Sequence, residues 1–555
     1  MGREVLRLAP DSLKSRHALA ALLVVVGFCA GLWPLAHDFY FAHVDEHLYA
    51  DASIRMVQSG DWGTAYYNTG YPRFQKPILT YWLIAASYRA FGISALTSRL
   101  PSILAGVVTL LITHALAIRV TPRAPAAILA MLILGSTPVF ILAAIRANPD
   151  IFLAMFIAWS VYGFFGLMFA ETPSAGDGWH AYLGAGLAIM AKGVPGLIFL
   201  AYIWLFAATF VADRRRRVIP LIPLAVGLAI PVTWFLATLH AHGSLFTHVM
   251  FNDQVRARIS LGIVATPLRM LAMVAQYVLF FLPWCIVLIA ERVAQARADS
   301  IMRSEFARFA AGFALLYAIA FGLNPTMNGH YLLPACPLLA VVIAGALAEL
   351  DSHASRVALE AAAAIVMVAL AAFSIFAMLL NRDGLTITSG MACAAFAVSI
   401  LLAIRRIRTS DLLMRLAVGI FLFFPLASVL LRPWLLPDFG QQVVAAVGPT
   451  ASRISFVGPE PLASYVRLAS GGTTQVMSGP DLSSALLSDL PIIAPKSDAE
   501  LLESHGYAIA PVGGAIERES VSDVARAVFR VDFGNFLESS KQGFVLAIPA
   551  SPPKP

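Results

Sequence analysis

Long apolar runs separated by short polar breaks dominate the chain. They lie near residues 18–35, 100–118, 125–143, 151–170, 180–191, 194–212, 218–239, 268–290, 306–323, 331–350, 357–380, 385–404 and 412–431. Roughly 20 apolar residues carry a helix across a bilayer, so the pattern predicts about thirteen transmembrane helices. The first run follows Arg3, Arg7, Lys14 and Arg16 and lacks a small-x-small cleavage pattern. It reads as an uncleaved span rather than a signal peptide. Beyond residue 432 the pattern changes. Short apolar runs at 454–457, 492–494 and 544–548 alternate with helix-like stretches at 481–490 and 498–505. Such alternation predicts a small soluble α/β domain over 433–555, following a membrane domain over 1–432.

Composition sharpens this. Apolar residues make up 59% and charged residues 13%, with a mean hydropathy of +0.77, against roughly 45–50% and 25% in soluble domains. A soluble enzyme, a disordered chain and a nucleic-acid module are thereby excluded. Residues 1–432 carry 31 Lys/Arg and 20 Asp/Glu, whereas 433–555 carry 8 and 12. The basic residues Arg119/Arg123, Arg214 to Arg217, Arg292/Arg297/Arg303 and Arg405/Arg406/Arg408 fall in loops on one side of the predicted crossings. The positive-inside rule then puts the amino terminus in the cytoplasm and the tail outside. Cys29, Cys285, Cys336 and Cys393 all lie in apolar stretches without metal-type spacing and read as packing residues.

The charges on the outward side are the unusual ones. The loop 37–98 holds Asp45-Glu46-His47-Leu48-Tyr49 and later Arg73-Phe74-Gln75-Lys76-Pro77. Apolar and polar positions mix over 45–57 as in a helix lying on the membrane surface, and 78–91, with Tyr81, Trp82 and Tyr88, is a second such candidate. Arg146, Asn148 and Asp150, then Lys192, then Asp253, Arg256 and Arg258, then His330-Tyr331 follow at later outward ends. Each alone can snorkel to the surface. Together they point to one hydrated cavity, since a charge at mid-bilayer costs roughly 2.5–3.5 kcal/mol.

The inventory narrows the chemistry. Carboxylates (Asp45, Asp150, and Glu46, turned about 100° away from Asp45 if both are helical) stand with cations Lys76, Lys192, Arg256 and Arg258. That set suits displacement of a phosphate leaving group: a carboxylate takes the nucleophile's proton and cations stabilise the phosphate. Pairing of the same charges as a structural ion network is the competing reading.

At these residues the chain resembles the GT-C membrane glycosyltransferases, most closely the ArnT-like (aminoarabinose transferase) branch related to protein O-mannosyltransferases. The shared features run in order over about 40–340: Asp45-Glu46, Ser59-Gly60-Asp61-Trp62, Lys76-Pro77 into Tyr81-Trp82, Phe91-Gly92, Arg99-Leu100-Pro101-Ser102, Asp150, Lys192-Gly193-Val194-Pro195-Gly196 and Tyr331-Leu332-Leu333-Pro334. The resemblance implies an α-helical, GT-C-like polytopic fold with a periplasmic soluble tail. It implies a sugar transferase in a bacterial inner membrane, with its active site facing the periplasm. The donor would be a sugar on a polyprenyl phosphate, and the acceptor lipid A or another outer-leaflet glycolipid. Asp45 would be the catalytic carboxylate and Asp150 a second acidic group. Lys76, Arg256 or Arg258, and Tyr331 would hold the donor phosphate, with Glu46, Tyr49, Tyr81 and Lys192 lining the substrate cavity.

Departures from the family pattern are informative. Gln75 stands where a Glu is common, His47-Leu48 where Pro-Arg is common, and Asn252-Asp253-Gln254 where a Glu-His pair is expected. Gln75 and Asp253 would be weak ligands, which argues against a divalent metal, and loss of the arginine weakens the case for aminoarabinose. A flippase of lipid-linked sugars and a protein O-glycosyltransferase are the alternative functions. A monomer is expected, with no nucleic-acid partner.

Overall fold

The computed structural model describes residues 11–37, 45–67, 70–121, 123–254, 256, 259–294, 304–350, 352–380, 384–435, 439–448, 452–458, 460–479, 482–487, 490–516 and 541–549. Among the described residues before 439 the regular elements are helices, with one isolated β-bridge between Tyr66 and Pro72. The first elements are α1 (Asp11–His37), α2 (Glu46–Ser59), α3 (Leu79–Phe91) and α4 (Ala95–Val120). Next come the bent pair α5 (Ala124–Gly135) and α6 (Pro138–Ala144), then α7 (Pro149–Phe169), α8 (Ala175–Lys192), α9 (Val194–Phe210) and α10 (Leu221–Thr247). After α11 (Ala265–Phe280), α12 (Trp284–Ala294) and α13 (Glu305–Gly322), a 3-10 turn Gly329–Ala335 leads into α14 (Cys336–Leu347). The long helices α15 (His353–Leu380), α16 (Gly384–Ala403) and α17 (Thr409–Leu435) complete the bundle.

Seven of these helical stretches are long and apolar enough to cross a membrane, or nine if each of two bent pairs counts as one span. Pro138 begins the second half of the first pair, which bends by 72°; proline has no N–H with which to continue the preceding helix. The run pattern predicts thirteen crossings. The difference lies in Asp11–His37, Ala175–Lys192, Val194–Phe210 and Thr409–Leu435, which occupy the other predicted runs without adding to that number. The chain is a multi-pass membrane protein.

Close backbone contact builds the α7–α8 hairpin. A Cβ on Gly163 would fall 2.3 Å from the Ala181 nitrogen, and one on Gly184 2.7 Å from the Ser160 nitrogen. Small residues let membrane helices approach this closely, where dispersion replaces the hydrophobic drive available in water. Because the two helices run antiparallel through a short turn, the start of α7 and the end of α8 meet at one end. Asp150 and Lys192 therefore meet there as well.

After residue 438 the chain forms a five-stranded sheet. Strands β1 (Arg453–Val457), β2 (Gln475–Gly479), β3 (Ile492–Pro495), β4 (Tyr507–Ile516) and β5 (Lys541–Pro549) are arranged in the order β2-β1-β3-β5-β4. The β1 pairings are parallel, while β5 runs antiparallel to β3 and β4. One face packs Ile454, Phe456 and Phe544 against α18 (Phe439–Val447) and α19 (Glu460–Ala469). The other packs Ile492, Ala494 and Val545 against Ala485 of α20 (Leu482–Leu486) and Leu502 of α21 (Ala499–Ser504).

Candidate functional site

Helix α2 lies in the loop between α1 and α4, and its apolar side, with Tyr49, Ala52, Ile54 and Met56, is buried against α3. Asp45 is the N-cap of this helix and is exposed. Its neighbour is not. Glu46 is completely buried and accepts from Arg99 Nε at 3.0 Å, a second Arg99 nitrogen at 3.3 Å and the Ala147 amide at 2.9 Å. Arg99 also donates to the Leu35 carbonyl at 2.6 Å. This corrects the expectation of Glu46 as a cavity residue: its carboxylate is consumed in tying α2 to α4 and to the turn before α7. Tyr49 and Tyr81 are buried too, their rings 5.0 Å apart. Arg73 donates to the Tyr81 hydroxyl at 2.8 Å and lies over Tyr49 and Tyr67 at 5.3 and 5.0 Å. Burial above all, then the Tyr81 phenol, raises the Tyr49 pKa well above its usual range. Arg73 opposes this, while Asp45 and Asp150 reinforce it. Both carboxylates thus act on one ring. The two tyrosines form a wall fixed by Arg73 rather than an open cavity surface.

At the start of α7, Asp150 is 4% exposed and its amide is capped by Asn148 Oδ1 at 3.2 Å. Its carboxylate pairs with Lys192 and lies 4.0 Å from His330 Nε2. Lys192, 8% exposed, holds its ammonium 4.7 Å from the centre of the Tyr331 ring. Gly193 follows at φ +66°, a left-handed conformation that costs glycine little. It turns the chain directly from α8 into α9 beside Pro77.

A cavity of about 200 Å³ opens against this group. Gln75, Lys76, Lys192, Gln254, Asn324 and Tyr331 supply its polar wall; Pro195, Ile198, Met250, Phe321 and Leu323 are part of its apolar one. Lys76 donates to Gln254 Oε1. Gln75 Oε1 is sealed from solvent without a partner. Lys76, Lys192 and Tyr331 are thus brought together, with Asp150 directly behind. Arg256 and Asp253 are exposed, and Arg258 lies outside the described residues. Among the described residues no group of three or more His, Cys, Asp and Glu side chains gathers to hold a metal. Gln75 and Asp253 offer an amide and a single exposed carboxylate, a poor donor set for a divalent cation.

Sequence reasoning gave no role to Arg73, Arg99, Gln254 or Asn324. Arg99 and Arg73 each lie within a quoted motif; the Glu46 partner of Arg99 is 53 residues away, whereas Tyr81 lies only 8 residues from Arg73, and nothing in the motif marks it as a partner. Arg146 is also in this region. Its Nε is buried without a hydrogen-bond partner.

Comparison with known proteins follows the same lines. Residues 75–237 match the family model described as dolichyl-phosphate-mannose-protein mannosyltransferase. An uncharacterised protein of Aquifex aeolicus is 31% identical over 214 residues, 38% of this chain and 42% of the relative. An undecaprenyl phosphate-alpha-4-amino-4-deoxy-L-arabinose arabinosyl transferase of Pseudomonas fluorescens is 29% identical over 257 residues, 44% of this chain and 42% of the relative. The chain thus spans less than half the length of these two curated relatives. The crystal structure of ArnT from Cupriavidus metallidurans bound to undecaprenyl phosphate superposes with a TM-score of 0.69 at 21% identity. That match covers 99% of this chain and 100% of the other. The chain is therefore similar to ArnT-like membrane glycosyltransferases, by sequence over part of its length and by fold over nearly all of it.

Proposed function

We propose that the protein transfers a sugar from a polyprenyl phosphate to an acceptor in the outer leaflet of a bacterial inner membrane, lipid A or another envelope glycolipid. The observation that carries this is the two-sided cavity. Two lysines, three amides and a tyrosine converge on one wall, and apolar side chains form the rest. A phosphate suits the first and the leading isoprene units the second. Cations beside such an anion form charge-assisted hydrogen bonds, roughly twice as strong as neutral ones.

In this reading the acceptor oxygen attacks the anomeric carbon while the bond from that carbon to the donor phosphate oxygen breaks. Asp45, exposed at the N-cap of α2, takes the acceptor's proton. The departing phosphate gains a charge, and Lys76 and Lys192 stabilise it. Asp150 acts through Lys192, holding the ammonium against Tyr331, rather than as a second base. Arg256 and Arg258 join the phosphate from the loop after α10. Attack opposite the leaving group inverts the anomeric centre.

The topology that goes with this has thirteen crossings, a cytoplasmic amino terminus and a periplasmic site. Residues 1–432 form the transferase domain and 433–555 a periplasmic one. The protein acts as a monomer. Cysteine labelling at positions in loop 37–98 from outside intact spheroplasts tests the orientation; labelling only after lysis contradicts it. Comparing outer-leaflet glycolipids by mass spectrometry between wild-type and deletion strains tests the activity. A single missing sugar identifies donor and acceptor; identical glycolipids contradict the assignment to the envelope.

A further inference from the structure

The tail is fastened to the first loop by charge. Helix α19 lies on α2, and Arg467 donates to Asp51 Oδ2 while Ser464 Oγ donates to Asp51 Oδ1 at 3.0 Å. A second guanidinium nitrogen of Arg467 reaches Glu460 at 2.6 Å. Asp51 is 7% exposed and Arg467 6%. Leu468 enters the apolar cluster formed by Tyr49, Ala52, Ile54 and Tyr81. At the far end of α2, Gln58 Nε2 donates to the Gly472 carbonyl at 2.7 Å. Gly472 sits at φ +76°, and a Cβ there would fall 2.7 Å from Ile93 Cδ1.

Stability alone does not account for a buried pair. Removing water from two ions costs several kcal/mol for each, and a well-packed apolar pair of similar volume often does as well. What charge adds is a single geometry. Asp51 is six residues past Asp45, about 9 Å along the helix. His47 lies in the same region, 6% exposed, its Nδ1 without a hydrogen-bond partner. The charges acting on it are Glu460 and Arg467 from the tail, Arg73 from the first loop and Asp45 from the N-cap. Burial, the largest influence, pushes its pKa down to about 4, so the ring beside Asp45 is neutral at pH 7.

We propose that Arg467 is a positioning residue for sugar transfer: by gripping Asp51 it holds α2, and with it Asp45, in the reactive pose, making the tail a working part of the site. The proposal rests on the reading of Asp45 as the base.

The test uses the full-length protein in nanodiscs with synthetic polyprenyl-phosphate glycosides, following release of polyprenyl phosphate across pH 5–9. Arg467→Met should lower kcat at least tenfold while donor KM stays within twofold. It should also introduce an acid limb near pH 6, as His47 regains water and its ordinary pKa. The double variant Asp51→Leu/Arg467→Met, which replaces the pair by apolar contact, should recover most of kcat and the original pH profile. Wild-type kcat and pH profile in Arg467→Met overturn the proposal, as does a double variant no better than the single one. Ser464→Ala, which deletes one neutral donor to Asp51, decides the matter if Arg467→Met does not fold. A several-fold loss of kcat supports the positioning role and an unchanged kcat overturns it. A wild-type protein that cleaves no glycoside overturns the transferase reading and this proposal together; turnover indifferent to Arg467 overturns the positioning alone.

Discussion

Adjacent carboxylates at the start of α2 should respond in opposite ways to loss of charge. Glu46 is completely buried and accepts three hydrogen bonds, two from Arg99 and one from the Ala147 amide. Glu46→Gln keeps the shape but presents an NH2 group to a guanidinium that can only donate. Arg99, itself 2% exposed, then keeps neutral oxygens such as the Leu35 carbonyl as acceptors but is a buried cation that has lost the carboxylate charge paired with it. Removing one partner of such a pair costs about 3–5 kcal/mol, a large share of the roughly 5–15 kcal/mol that holds a typical domain together. Asp45 is exposed, and Asp45→Asn should alter stability by less than about 0.5 kcal/mol. Thermal unfolding of both variants in the same detergent, beside a donor-cleavage assay, separates the effects. Glu46→Gln should melt several degrees early and lose activity in step with folding, whereas Asp45→Asn should melt with the wild type and be inactive. A Glu46→Gln protein as stable as wild type refutes the reasoning from the buried pair.

Other outcomes follow from the same contacts. Lys76→Met removes the cation that bonds Gln254 at the cavity wall and should raise the donor KM at least tenfold, measured by polyprenyl-phosphate release. Tyr331→Phe keeps the ring under the Lys192 ammonium and should retain most activity; Tyr331→Ala, which removes about 0.5–2 kcal/mol of cation–π attraction, should not, as parallel kinetics will show. His47 is held below its unfolded value of 6.5, at about 4. As pH falls from about 6.5 toward 4, the unfolded chain binds a proton the folded one refuses. About 3 kcal/mol of stability is lost over that window, and His47→Gln should flatten the pH dependence of melting there.

Local features of the site were readable from the chain and long-range ones were not. The pattern over 45–57 predicts a helix, and α2 spans Glu46–Ser59; the aromatic stretch 78–91 corresponds to α3, Leu79–Phe91. Both signals depend only on neighbours within a few turns. The polar cluster at the end of the α7–α8 hairpin was also legible, because an antiparallel pair must bring its outer ends together. The fate of each charge was not. Glu46 is consumed by Arg99, 53 residues on, and Asp150 by Lys192, 42 residues on. Asp51 meets Arg467 across 416 residues. An isolated acid looks the same in sequence whether it faces a substrate or a guanidinium. Arg73, beside Phe74, Gln75 and Lys76, carries no mark in the sequence of the three tyrosines on which it is spent.

The central claim is that Asp45 drives cleavage of a polyprenyl-phosphate sugar at this site. Purified wild-type and Asp45→Asn proteins, matched in melting temperature, should be given a panel of radiolabelled polyprenyl-phosphate sugars with extracted outer-leaflet lipids. The account predicts that wild type moves label from one donor onto a lipid acceptor, and that Asp45→Asn falls by at least a thousandfold. Equal rates from the two proteins would contradict it.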